Sequence, residues 1–124
     1  MHNKNILQHA QKHGLSENEL YSTYRIFFGT LVSEPRLRII NFLRNGKKNV
    51  SEIVNELNMD QANVSHDLAR LRKCGFVKVE TNKQYRYYSL NDKTIKPLMK
   101  LIDEHMSEYC VHIFNESKVK ENGK

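Results

Sequence analysis

The sequence predicts one small, mainly helical domain with a single β-hairpin, in the order α-α-α-α-β-β-α. Apolar residues recur every three or four positions along most of the chain, and they alternate with polar residues over 76–90. The 124 residues fit one domain, and 39% hydrophobic residues are too many for a wholly disordered chain. We place the domain at residues 15–114, between a flexible or marginally helical N-terminus at 1–14 and a disordered tail at 115–124.

Several classes of protein are excluded by the sequence. No apolar run approaches the ~20 residues of a membrane span, and the N-terminus lacks the apolar core of a secretory signal. Two cysteines do not make a disulfide framework. A thiol hydrolase using Cys110 with His105 or His112 has no nucleophile turn or Gly-rich loop to support it, so we expect no enzymatic activity. We expect a soluble protein of the cytoplasm.

Capping signals place the individual elements. Ser16 and Glu19 have the spacing of a capping box, and the aromatic stripe that follows predicts a helix over 17–31. Start and stop residues then predict a second helix between Ser33 and Asn45, a third from Ser51, a fourth from Asp60 to about Lys73, strands over 76–80 and 84–90, and a last helix of about 20 residues from Asn91.

The net charge is concentrated in the middle of the chain. Residues 36–86 hold 11 of the 20 Lys and Arg residues but 5 of the 14 Asp and Glu residues, so the whole net charge of +6 lies there. A basic stretch between neutral flanks favours a polyanion partner. The alternative, a solvated basic surface, fits the charge count equally well.

Two short helices joined by a tight turn and followed by a hairpin are the order of a winged helix-turn-helix. In such a unit the second helix enters the DNA major groove and the hairpin reaches the backbone or the minor groove. Asn and Gln suit adenine edges, Ser and His suit base edges or phosphates, and Arg and Lys suit phosphates. The predicted DNA-binding residues are Gln61, Asn63, Ser65, His66, Arg70, Lys73, Lys83 and Arg86.

The segments LVSEPRLRIINFLRNG, NVSEIVNELNMDQANVSHDLARLRKCGFV and TNKQYRYYSL resemble the ArsR/SmtB family of dimeric winged-helix repressors. The resemblance covers roughly residues 25–112, and its most specific run extends from Gln61 to Val77. It implies a homodimer formed through the first and last helices, and repression at a palindromic operator in the cytoplasm. It also implies an inducer, often a metal or metalloid. We expect no required cofactor.

The resemblance implies three places for inducer ligands. The arsenic-type cysteines are absent, since Val50-Ser51-Glu52 stand there, and the cadmium-type pair corresponds to Arg70 and Cys74, with one ligand missing. The zinc-type set corresponds to Asp92, Thr94, His105 and Glu108, of which Thr94 departs from the pattern.

The residues themselves do not decide whether the protein senses an inducer. His105, Glu108 and His112 lie at i, i+3 and i+7 of the predicted last helix, with Cys110 near the same end, and together they could ligate tetrahedral zinc or another divalent metal. The alternative is that His105 and His112 are polar residues flanking a dimer seam, that Glu108 is solvated and that both cysteines are small buried hydrophobic residues. A redox role for Cys74 and Cys110 is the third interpretation, favoured weakly by the basic residues beside Cys74.

Two functions from different classes fit the sequence. The first is a sequence-specific repressor, released from its operator by a metal ion or by thiol oxidation. The second is an architectural DNA-binding protein with little sequence preference and no inducer. The polar residues predicted on the fourth helix favour the first.

Overall fold

The computed structural model describes residues 5–122, with side chains through residue 119. No helix in this range is long and apolar enough to cross a membrane. The elements, in chain order, are α1 (Ile6–Lys12), α2 (Glu17–Leu31), α3 (Glu34–Leu43), β1 (Lys48–Asn49), α4 (Val50–Leu57), α5 (Gln61–Lys73), β2 (Val77–Asn82), β3 (Tyr85–Leu90), α6 (Ile95–His105), a π-helical turn (Met106–Cys110) and α7 (Val111–Asn122).

The helices begin where side chains satisfy their free N–H groups. Ser16 Oγ accepts from the Glu19 N–H at 3.2 Å, and Glu19 Oε1 accepts from the Ser16 N–H at 2.9 Å, which confirms the predicted capping box. Asp60 accepts from the Asn63 N–H at 3.1 Å and caps α5 as predicted.

The third predicted helix begins one residue earlier than Ser51. Asn49 and Glu52 form a second capping box, with hydrogen bonds of 2.8 and 3.0 Å, and this box starts α4 at Val50. The two residues before α4 also make a strand that the sequence did not predict. Strand β1 pairs with β3 through Lys48↔Tyr88 and gives a sheet in the order β1-β3-β2. A two-residue strand is too short to show an alternating pattern.

Strands β2 and β3 and the turn between them form the wing. Their antiparallel register runs from Val77↔Leu90 to Asn82↔Tyr85, so β2 continues two residues beyond its predicted end. Lys83 follows with φ 59°, in the left-handed region that a tight hairpin turn requires. Tyr88 and Leu90 are buried on the inner face of the wing.

The core lies between α3, α4, α5 and the wing. Phe76, at the start of the wing, is fully buried, and the Phe27 ring of α2 stacks on it with 5.2 Å between ring centroids. The other fully buried apolar side chains come from three helices: Ile39, Ile40, Ile53, Val64, Leu68 and Leu71. Burial of this cluster supplies the main stabilisation and holds α5 against the scaffold.

The two ends of the domain are helical as far as they are described. Helix α1 lies in the segment predicted to be flexible or marginally helical, of which residues 1–4 are outside the described range. The prediction of a disordered tail was wrong for residues 115–122, because α7 continues to Asn122. No Gly or Pro interrupts this polar stretch before Gly123, and its Glu and Lys residues favour helix despite their low hydrophobicity. Residues 123–124 are outside the described range.

Candidate nucleic-acid interface

Helices α4 and α5 are joined by the short turn 58–60. Asn58 ends α4 with φ 52°, a left-handed conformation that asparagine tolerates better than most residues. The Met59 N–H donates to the Val54 carbonyl at 3.3 Å, and Asp60 then caps α5. The turn therefore presents α5, the predicted recognition helix, with one side packed on the core and the other free.

The free side of α5 is polar. The four residues predicted to read base edges lie in its N-terminal half, and Gln61, Asn63, Ser65 and His66 are all exposed. They do not form one stripe, because Asn63 lies about 160° around the helix from Gln61. Ser65 faces the wing, whereas Asn63 and His66 line a cavity of about 370 Å³ beside the start of α3.

A groove of about 590 Å³ runs between α5 and the wing. Arg86 lies on the inner face of the wing, two residues from Tyr88, and its guanidinium carbon is 5.9 Å from the centroid of the Tyr88 ring. The structure thus brings together Arg86 and Lys73, two residues that the sequence predicts to contact phosphates. We call this the wing groove, and it is lined by Val50, Ser65, Ala69, Arg72, Lys73, Arg86 and Tyr88.

In the part of the chain that the structure describes, the basic residues of 36–86 that make no ion pair lie mainly on α5 and the wing. Of the 11 cations in residues 36–86, five make ion pairs with carboxylates within the described residues: Arg36, Arg38, Arg44, Lys47 and Lys78. Lys48 stands 5.0 Å from the Phe42 ring. The cations without a carboxylate partner in the same range otherwise belong to α5 and the wing: Arg70, Arg72, Lys73, Lys83 and Arg86.

Arg70 and Arg72 lie on different sides of α5. Arg70 is half-buried, and its Nε donates to Thr30 Oγ1 of α2 at 3.2 Å, so it lies on the side of α5 away from the wing groove. Arg72, which was not among the predicted site residues, lines the groove instead. The spacing Ser65-Ala69-Arg72, at i, i+4 and i+7, was the available signal for it.

Cys74 ends α5 close to the same threonine. Its Sγ lies 3.5 Å from Thr30 Oγ1. Burial raises the pKa of the Cys74 thiol, but hydrogen bonds from Thr30 and Arg70 and the charges of Arg70 and Lys73 outweigh it, so the pKa lies below its usual value. Cys110 is exposed on the π-helical turn, and both thiols are free.

The predicted metal ligands do not gather within one chain. No group of three His, Cys, Asp or Glu side chains in the described residues could hold an ion. The π-helical turn is one reason, because it takes up about one residue more than an α-turn and rotates His112 by about 100° relative to His105. The single face expected for His105, Glu108 and His112 is therefore wrong. Asp92 lies before the start of α6, with its Oδ1 3.7 Å from Lys78 Nζ.

Two helices carry exposed apolar surfaces. On α2, Tyr24 and Phe28 stack with 6.4 Å between ring centroids, and Phe28 is 60% exposed. Leu20 and Phe27, which share the predicted aromatic stripe, pack inward instead. We call α6, the π-helical turn and α7 together the last helical segment. Its exposed apolar side chains are Leu101, Met106, Tyr109, Val111, Ile113, Phe114 and Val119.

The sequence comparisons agree with this geometry. A family model described as bacterial regulatory protein, arsR family, matches residues 33–79. An uncharacterized HTH-type transcriptional regulator of Methanocaldococcus jannaschii is 33% identical over 87 residues, which are 69% of this chain and 98% of that protein. The transcriptional activator HlyU of Vibrio cholerae is 27% identical over 62% of this chain and 71% of that protein. A probable mercury resistance operon repressor of Streptomyces lividans is 29% identical over 60% of each chain.

The fold comparison confirms the predicted winged helix-turn-helix. The solution structure of a homodimeric winged helix-turn-helix DNA-binding domain from Mycobacterium bovis matches with a TM-score of 0.69. The two sequences are 22% identical, and the match covers 77% of this chain and 91% of the other. A matching family model, a relative covered almost completely and a shared fold support one assignment: this chain belongs to the ArsR family of bacterial regulatory proteins.

Proposed function

We propose that this protein is a transcriptional repressor that binds double-stranded DNA with sequence preference. The observation that carries the proposal is the concentration of uncompensated cations on α5 and the wing, around an exposed polar helix face. The relatives named above as transcriptional regulators support it. They include both an activator and a repressor, and only a reporter assay on the regulated promoter distinguishes the two directions.

We expect two groups of residues on α5 and the wing to contact different parts of the DNA. Arg72, Lys73 and Arg86 suit phosphate contacts, which position a protein on the duplex without reading its sequence. Gln61, Asn63 and Ser65 project from the N-terminal half of α5, where amide and hydroxyl groups can reach base edges in the major groove. The small side chain of Ala62, which lies among these residues, allows α5 to approach the DNA closely.

The test is a comparison of operator DNA with bulk DNA. An operator is selected from random duplexes, and its affinity is measured at fixed salt against a scrambled duplex of equal length. A sequence-specific regulator should bind the selected site about 10³-fold or more tightly than the scrambled one. Equal affinities would contradict the proposal and favour the architectural alternative.

We propose a homodimer through the apolar faces of α2 and the last helical segment. Large apolar side chains exposed on two helical surfaces favour burial against a partner. Two-fold symmetry would then place two α5 helices one DNA turn apart and predict a palindromic operator. The proposal is supported by the distribution of exposed residues: Tyr24, Phe28, Tyr109, Ile113 and Phe114 are all outside the chain's own core.

We also propose an inducer site between subunits, for zinc or another divalent metal. His105 stands immediately before the π-helical turn and Glu108 lies within it, and Asp92 of the second subunit and the exposed Cys110 would complete four ligands. Titration of cobalt into the protein and into His105→Ala tests it, with His9→Ala as a remote control. No tetrahedral cobalt spectrum, or equal binding by His105→Ala, would eliminate the site. Affinity should fall in acid, because protons compete with the metal ion for its ligands.

A further inference from the structure

We propose that a cavity between α2 and α5 binds a small amphipathic anion, an apolar body that carries one carboxylate, and that this ligand opposes DNA binding. The cavity has a volume of about 560 Å³, within the usual range for small-molecule sites. Its effect on DNA rests on the function proposed above, whereas binding itself does not. The lining residues are Thr23, Ile26, Phe27, Arg70, Lys73 and Cys74.

The α5 side of this cavity supplies positive charge. Arg70 is held by its Nε–H bond to Thr30 Oγ1, and its guanidinium has no carboxylate partner among the described side chains. Lys73 stands one turn along the helix and has no carboxylate partner in the same part of the chain. A half-buried guanidinium beside a second cation favours an anion, and a carboxylate suits its forked N–H groups.

The α2 side of the cavity is apolar. Ile26 is 54% exposed although its neighbour along α2, Phe27, packs against the core, and both side chains line the cavity. An alkyl or aryl body on this wall would remove their surface from water, which favours binding in proportion to the apolar area covered. A simple inorganic anion would leave the wall wet, so the ligand class is amphipathic.

The position of Lys73 connects this cavity to the wing groove, because the side chain lines both. A bound carboxylate would neutralise part of the positive potential that attracts DNA phosphates. The ligand would also occupy the joint between α2, which carries the proposed dimer surface, and α5, which carries the base-reading residues. Both effects favour mutual exclusion of ligand and DNA, and by linkage the two affinities fall by the same factor.

The first experiment uses the protein without DNA, with decanoate as the probe and decanol as its uncharged match. Iodoacetamide alkylation of Cys74 and Cys110 is followed by mass spectrometry, so Cys110 serves as the internal control. Decanoate should slow alkylation of Cys74 alone, and decanol should require at least tenfold more for the same protection. Equal protection of both cysteines, or equal potency of the two probes, would overturn the proposal.

Single substitutions test whether decanoate binds in this cavity. Arg70→Gln should raise the half-protecting concentration of decanoate at least tenfold and leave that of decanol unchanged, with each rate normalised to the same variant without ligand. Arg25→Gln is the matched control, since Arg25 is an exposed arginine of α2 that does not line the cavity. Calorimetric titration supplies the same comparison without chemical modification. If Arg25→Gln and Arg70→Gln behave alike, the assignment is refuted.

The second experiment adds DNA. Decanoate below its micellar concentration should weaken binding to the selected operator at least fivefold for the wild-type protein and less than twofold for Arg70→Gln. Protection of Cys74 without any effect on DNA would refute the antagonism while leaving the cavity assignment intact. If the wild-type protein shows no sequence-specific DNA binding at all, the proposed function is contradicted, and the alkylation result is unaffected.

Discussion

Arg36 Nη1 of α3 lies 3.2 Å from Asp67 Oδ1 of α5, and the two side chains are 16% and 13% exposed. The same guanidinium donates from Nε to the Thr30 carbonyl at 2.9 Å and from Nη2 to the Gly29 carbonyl at 3.2 Å. Arg36 therefore joins the C-terminal end of α2, whose carbonyls have no helical partner, to the middle of the recognition helix. It fixes the placement of α5 relative to the proposed dimer surface.

Replacement of Arg36 should destabilise the fold. Arg36→Met removes the ion pair and leaves the largely buried Asp67 without a cation, so we expect a loss of about 2–3 kcal/mol in the free energy of unfolding. Arg38→Met is the control, since its pair with Glu34 is 3.5 Å long and largely exposed, and should cost less than about 0.5 kcal/mol. Urea unfolding measures both, and equal losses would show that the buried network is not special.

DNA binding should depend strongly on salt. If a dimer neutralises about eight phosphates, affinity should fall by roughly 10³–10⁵ between 50 and 200 mM salt. Lys73→Gln removes one contact per subunit and should reduce the log–log slope by about 2 for the dimer. Lys100→Gln, an exposed change on α6, should leave the slope unchanged. A wild-type slope near zero would contradict the electrostatic account.

Sequence preference should depend on the N-terminal half of α5. Asn63→Ala or His66→Ala should cost about 1–3 kcal/mol of binding free energy on the operator and much less on scrambled DNA. Fluorescence anisotropy on the two duplexes gives the comparison, and Arg86→Gln serves as a contrast that should weaken both alike. If Asn63→Ala also weakens both alike, that residue contacts phosphate or supports the fold.

A charged substitution on the last helical segment should break the dimer. Tyr109 is 56% exposed, so Tyr109→Asp should give monomers without unfolding the chain, and operator affinity should fall because paired half-sites need both subunits. Ile102→Asp is a poorer choice, because Ile102 packs against the core. Tyr85→Asp, an exposed change in the wing, should remain dimeric. Sedimentation at micromolar concentration decides, and a monomeric wild type would refute the dimer.

Cys74 should react with alkylating agents at lower pH than an ordinary thiol. Its lowered pKa means that more thiolate is present at a given pH, and the thiolate is the nucleophile. Arg70→Gln removes a hydrogen bond and a charge that favour the thiolate, so the pH of half-maximal alkylation should rise. Arg72 is two positions from Cys74 but lines the wing groove, so Arg72→Gln should shift the pH of half-maximal alkylation less. An unchanged profile for Arg70→Gln would show that Arg70 does not act on this thiol.

Local signals in the sequence determined most of the secondary structure. The Ser16–Glu19 capping box, the Asp60 cap and the change from helical to alternating periodicity near Phe76 each act within a few residues, so they can be read without a fold. Residues that match the family pattern between Gln61 and Val77 predicted the winged helix-turn-helix, which the comparisons confirmed. The extent of α7 was misjudged because low hydrophobicity argues against burial but not against helix.

Tertiary structure decided the direction in which each polar residue of α5 points. Arg70 and Arg72 are both basic and two positions apart, yet one bonds Thr30 and the other lines the wing groove, because the buried residues Val64 and Leu71 set the rotation of the helix. The π-helical turn between α6 and α7 decided that His105 and His112 diverge, since one additional residue in a turn has no sequence signature here. Pairing between distant elements, such as Arg36 with Asp67, follows from packing of the whole core and lies beyond any local pattern.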